Sequence, residues 1–117
     1  MSAKDDCYRL IQEISVARDP FCRAPGCERL STCGHHLFPR SRLATAFDPR
    51  FIIGLCHYCH VPWAHAKTKE FQEWVISWMG EDVFIEGVRL SNSIVKHLDF
   101  NEKRRYLMTE LSKFHIR

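Results

Sequence analysis

The sequence predicts a small α+β protein in which helices at both ends enclose a short-stranded, metal-rich centre. Three observations carry that prediction. Apolar residues recur at helical spacing near both ends of the chain, whereas residues 20–65 are cut into short apolar pieces by Gly, Pro, Cys and His. Within that stretch, residues 22–60 hold five of the six cysteines (Cys22, Cys27, Cys33, Cys56, Cys59) together with four of the seven histidines (His35, His36, His57, His60). The remaining composition, 45% hydrophobic and 26% charged over 117 residues, is a globular balance that fits one domain and argues against disorder.

Taken in order, the first helix is read at residues 5–17, where Cys7, Leu10, Ile11 and Ile14 follow the spacing of a single face. Asp5 or Asp6 is its N-cap, Cys7 belongs to its core side, and "RDP" ends it because the residue before Pro20 is pushed out of helical geometry. "FIIGL" reads as an apolar strand. "KTKEFQEWVISWMG" resumes a helix, with Phe71, Trp74, Val75 and Trp78 on its core face, Thr68 as cap and Gly80 as stop. "DVFIEGVRL", within residues 82–98, admits two readings: a short hairpin around Gly87 or part of a broken helix. The last helix opens at Asp99 as a capping box with Glu102, and Phe100, Leu107, Leu111 and Phe114 form its stripe. Lys103, Arg104 and Arg105 lie elsewhere on its surface as a solvated basic run. The chain therefore divides into an N-terminal helix (1–19), a core (about 20–79) and a C-terminal helical extension (80–117) of one domain.

No apolar run approaches the length of a membrane span, and "MSAKDDCYRL" lacks the basic-then-apolar layout of a signal peptide. The expected setting is cytoplasmic, where cysteines serve as metal ligands rather than disulfides. The net charge of +3 and the pI near 8.6 are compatible with nucleic acid without demonstrating it.

The metal reading rests on spacing. "CRAPGC" places four residues between Cys22 and Cys27, including a Pro-Gly turn, and "CHYC" places two between Cys56 and Cys59. Tight loops of this kind bring two thiolates to one side of an ion, and two such loops complete a tetrahedral structural Zn2+ site. Cys33 is an alternative for one of the four positions.

"CGHHLFPR" raises a separate question. On a strand, adjacent side chains point to opposite faces, so His35 and His36 are expected to have different jobs. Taken with "LCHYCH", this stretch resembles the HNH endonuclease family: an acid or His, then His, an apolar residue and often Pro-Arg, followed later by Leu-Cys-x-x-Cys-His. The resemblance spans residues from about 20 to 75, and "ATAFDPRFIIGLC" looks most like the phage NinG/Rap type of recombination nuclease.

The resemblance implies a ββα-metal core of two strands and a helix around a divalent ion, and cleavage of DNA to a 5′-phosphate and a 3′-hydroxyl. It implies that His35 and His60 are ligands of a catalytic Mg2+, Mn2+ or Ni2+, and that His36 is the general base. The family's Asn falls at Phe51, five residues before Cys56. Either Asp48 or a backbone group holds the base's loop instead, or activity is weakened.

The chemistry is coherent on its own terms. A neutral imidazole suits proton abstraction near neutral pH, and a divalent ion offsets charge at the phosphate. Arg40, Arg42 and Arg50 are natural contacts to the DNA phosphates. His65 is a further candidate for a third ligand or a phosphate contact, although five residues from His60 is one more than a regular helix prefers. His57 reads as a solvent-facing turn residue, and His97 and His115 as surface residues. The expected partner is DNA, duplex or branched, with no membrane; a homodimer cutting both strands is open. The competing reading is a zinc-stabilised DNA-binding or adaptor module whose nuclease site has decayed.

Overall fold

The computed structural model describes residues 2–114. It is α+β, as expected: six helices and one two-stranded antiparallel sheet among the described residues. Helix α1 spans Ala3–Arg18, and its N-cap is Ser2, whose hydroxyl accepts from the Asp5 amide at 3.1 Å. Asp5 and Asp6 instead occupy the first turn, where carboxylates complement the helix dipole, which corrects the expected cap. Strand β1 (Cys33–His36) pairs with β2 (Ile52–Leu55), with Gly34 opposite Gly54, His35 opposite Ile53 and His36 opposite Ile52. Between them lie α2 (Leu43–Ala46) and a 3-10 turn, Pro49–Phe51, which takes Phe51 out of the expected strand. A single turn α3 (His57–Cys59) runs into a π-helical segment, His60–His65. Helices α4 (Thr68–Met79), α5 (Glu81–Ser91) and α6 (Phe100–Ser112) complete the chain.

Cross-strand partners share a face, so the sheet divides the core in two. Ile52 joins Leu10, Ile11, Ile14, Phe47 and Leu107 on the α1/α6 side. Ile53 and Leu55 join Cys22, Cys56, Phe71 and Val75 on the other. Helix α1 lies against the sheet so closely that glycine is required: a Cβ on Gly34 would meet Ile52 Cδ1 at 2.7 Å and Ser15 Cβ at 2.9 Å.

The ambiguous segment 82–98 is resolved in favour of helix over Glu81–Ser91. Gly87 sits inside α5 for a tertiary reason, since the Phe38 ring lies 2.5 Å from where its Cβ would be. Gly80 closes α4 with φ +95°, as expected, but Thr68 is its first helical residue and Lys67 the cap. Phe71 and Val75 are buried and Trp74 half-buried, whereas Trp78 is 41% exposed rather than core. It is stacked on Trp74, with the Arg23 guanidinium 5.8 Å from its ring. Asp99 caps α6 as expected, accepting from the Glu102 amide at 3.1 Å, while Phe114 falls past the helix end and is exposed. No helix among the described residues is long and apolar enough to cross a membrane.

Buried Asp19, at the C-cap of α1, ties three elements together. Its carboxylate accepts from Arg18 (2.8 Å), Arg23 (2.8 Å) and the Gly54 amide (2.9 Å), and its carbonyl accepts from the Ser31 hydroxyl. Burial opposes ionisation, but the two guanidiniums and the amide outweigh it and hold the pKa below the usual carboxylate range.

Candidate functional site

Two clusters of ligand-type side chains form on the Ile53 side of the sheet. In the first, a hairpin-like loop closed by bridging of Phe21 with Leu30 presents Cys22 and Cys27. The Cys22 amide donates to the Arg29 carbonyl (2.8 Å), the Cys27 amide to the Ala24 carbonyl (3.1 Å), and Gly26 supplies the left-handed turn residue at φ +77°. The end of β2 presents Cys56, and α3 carries Cys59, whose amide donates back to the Cys56 carbonyl at 3.2 Å. The four sulfurs lie within 4.8 Å of one another, Cys27 and Cys56 at 3.8 Å. Cys33 is not among them; its thiol points to the Leu55 carbonyl at 3.6 Å. Cys7 is fully buried on α1, as expected.

The thiol chemistry fits a metal. Burial opposes ionisation of Cys56, yet the Cys59 amide and the three facing thiols bring its pKa down to about 7. Burial and the neighbouring sulfurs push Cys59 up, and burial raises Cys22. One thiolate therefore forms readily while further ones are opposed by desolvation and like charge. A bound divalent cation removes that opposition, so this closed all-sulfur set suits structural Zn2+.

In the second cluster the ligating nitrogens of His35, His60 and His65 lie within 4.8 Å of one another. His60 and His65 approach with their Nε2 atoms 3.0 Å apart. The i, i+5 spacing that counts against a regular helix is met by the π-helical segment, whose wider turn brings the two rings to 4.5 Å between centroids. Pro62 is the local cause, because it has no amide to donate back to position 58 and interrupts the α-helical ladder. Burial, reinforced by the neighbouring imidazoles, lowers the His35 pKa to about 4, so this ring is in its neutral, ligating form at neutral pH. Phe71 packs edge-on against it at 4.9 Å.

His36 points the other way, toward the α1/α6 side, as strand alternation requires. Its Nε2 lies 3.0 Å from the Ala46 carbonyl oxygen. A carbonyl only accepts, so Nε2 carries the proton and Nδ1 keeps the lone pair in the neutral ring. Burial is the main influence lowering the His36 pKa, partly offset by that hydrogen bond. Both faces meet at a cleft of about 400 Å³ lined by His35, His36, His60, His65, Arg40 and Gln12.

The position expected to hold an Asn is filled differently. Phe51 is 1% exposed, its carbonyl accepts from the Leu37 amide at 2.9 Å, and its ring packs edge-on against Phe38 at 5.6 Å. Asp48 does not substitute for Asn; it caps the 3-10 turn and binds Arg50 at 2.9 Å. The backbone carbonyls of Ala46 and Phe51 hold the segment around His36.

Of the three candidate arginines, Arg40 lines the cleft, Arg42 is an exposed residue at the start of α2, and Arg50 borders a different depression together with Lys103 and Tyr106. His57 and His97 are exposed and outside both clusters, and His115 lies outside the described residues.

Two residues of the site escape a sequence reading. Gln12 grips the outer edge of β1 at Gly34, donating to its carbonyl (2.9 Å) and accepting from its amide (2.6 Å), one residue before His35. The Tyr8 hydroxyl donates to the Arg40 carbonyl (2.7 Å), and the Arg40 guanidinium lies 4.4 Å from the Tyr8 ring. The available signal is that Tyr8 and Gln12 stand i, i+4 beside the buried stripe of α1.

The chain matches no protein-family model, no curated protein and no solved structure.

Proposed function

We propose that this chain is a metal-dependent DNA endonuclease with a ββα-metal core of the HNH kind. The observation that carries the reading is the divided histidine pair: His35 converges with His60 and His65, while His36 faces the same cleft with its Nε2 engaged by Ala46. That hydrogen bond leaves Nδ1 of His36 free to take a proton from a water molecule, which is the work of a general base. His35, His60 and His65 would hold a divalent ion, which when bound polarises the scissile phosphate and offsets charge on the leaving oxygen. Three imidazoles without a carboxylate suit Ni2+ or another borderline transition ion better than Mg2+ or Mn2+. Arg40, with Tyr8 beneath its guanidinium, binds a phosphate and sets the register of the DNA. The four-cysteine site is structural, because a fourfold sulfur set leaves no open position for substrate.

The test is incubation of the purified protein with supercoiled plasmid and with a branched junction, in Mg2+, Mn2+, Ni2+ or chelator. Nicking or linearisation that needs the metal is the expected result, strongest with Ni2+. Tight DNA binding with no cleavage under any metal would instead establish the zinc-stabilised binding module.

A further inference from the structure

A second cavity, of about 490 Å³, adjoins the three-histidine cluster and shares His35 and His65 with it. It lies between the end of β1, α4 and α5, the last being the helix whose Gly87 allows Phe38 to pack closely. Phe38, Phe71 and Phe84 supply aromatic surface, with the Phe38 and Phe84 rings 5.8 Å apart. Gln72 and Asn92, both exposed, offer amide groups at its border. No Asp, Glu, Lys or Arg lines it. In a chain with 26% charged residues, such a neutral pocket beside a phosphate-directed cleft is selective in its chemistry.

Resting on the nuclease reading above, we propose that this pocket takes a single unpaired nucleobase next to the phosphate bound at the histidine cluster. The preferred substrate is then DNA with an unpaired base at the cutting position, as in a bulge, flap or branch. A phosphate finds no lysine or arginine there, and a charged side chain no Asp, Glu, Lys or Arg to pair with. A nucleobase is planar, uncharged and polar only at its edge, so it stacks on the phenylalanines and pairs its edge with the amides. Each base hangs one sugar from its phosphate, which places it in the cavity adjoining the cluster. A base inside an intact duplex is stacked and paired and cannot enter unless extruded.

The test compares a fully paired duplex with the same duplex carrying one unpaired 2-aminopurine. Binding is read by anisotropy and base stacking by 2-aminopurine fluorescence, and hydrolysis with Ni2+ is followed in parallel. The zinc-loaded full chain is expected to bind the unpaired substrate about tenfold more tightly and to quench its fluorescence. The double variant Gln72→Ala/Asn92→Ala, whose side chains are exposed, and the pocket-filling Val88→Trp should each reduce that preference to about twofold or less. Equal binding of both duplexes, or a preference unchanged in both variants, would overturn the pocket. Hydrolysis without preference removes the pocket and keeps the nuclease; preference without hydrolysis under any metal keeps the pocket and removes the nuclease.

Discussion

Cys59 and His60 are neighbours in the chain, yet they belong to clusters of opposite character. The cysteine cluster has two buried and two half-buried members, all sulfur, pinned by the amide bonds of a tight loop and one helical turn. The histidine cluster has two half-buried members and one exposed, all nitrogen, and opens on a cleft. Four thiolates complete a tetrahedral sphere, whereas three imidazoles leave positions for substrate. Under the proposed function the difference assigns the jobs: the closed set would hold the fold, and the open set would serve the chemistry. The backbone shapes both, since a tight loop closes one set and a widened π-helical turn brings His60 and His65 together in the other.

The largest effect that can break this division is expected at the sulfurs. Cys22→Ser should lose the structural metal, whose contribution in comparable small domains is about 10 kcal/mol or more and rivals the whole stability of a domain. Melting followed by circular dichroism, with metal analysis, should show loss of the cooperative transition. A variant melting within a few degrees of wild type would mean that the cluster is not a staple.

A smaller loss is expected at Asp19. Asp19→Asn leaves Arg18 and Arg23 without their counter-charge and should cost about 2–3 kcal/mol by denaturant unfolding. Because the folded pKa is depressed, the carboxylate's contribution is complete above its unfolded value of about 3.9 and is lost as pH falls through the lower folded value. The gap between wild type and variant should therefore close in acid. A gap independent of pH would show that packing, not charge, sets the effect.

At the open cluster, His65→Ala should weaken Ni2+ binding by at least about tenfold, or about 1.4 kcal/mol, without changing zinc content. His57→Ala, three residues before His60 and outside both clusters, should leave both unchanged. Equal Ni2+ affinity in the two variants would remove His65 from the ligand set.

How far the sequence foretold these features differs between the clusters for physical reasons. The cysteine set follows from local loop spacing, and α1, α4 and α6 follow from amphipathic stripes, so both are legible one residue at a time. His65 is legible only as a further candidate, because its reach to His60 depends on a helix widened at Pro62, against the usual i, i+4 rule. Helix α5 is ambiguous because Gly87 weakens its local pattern for the sake of a distant ring, Phe38. Gln12 and Asp19 read as an ordinary polar residue and a helix end; their partners, Gly34 and Gly54, lie 22 and 35 residues away. Phe51 looks like a defect against the family pattern, yet the amide it receives comes from Leu37, immediately after His36.

The division of work between the two histidines of one dipeptide is tested most directly by single-turnover cleavage of supercoiled plasmid by His36→Ala, with zinc content and Ni2+ affinity determined on the same preparation. Cleavage slower by about 10²–10⁴-fold, with both metal sites intact, is the expected result. Wild-type cleavage by His36→Ala, or loss of Ni2+ binding in that variant, would contradict it.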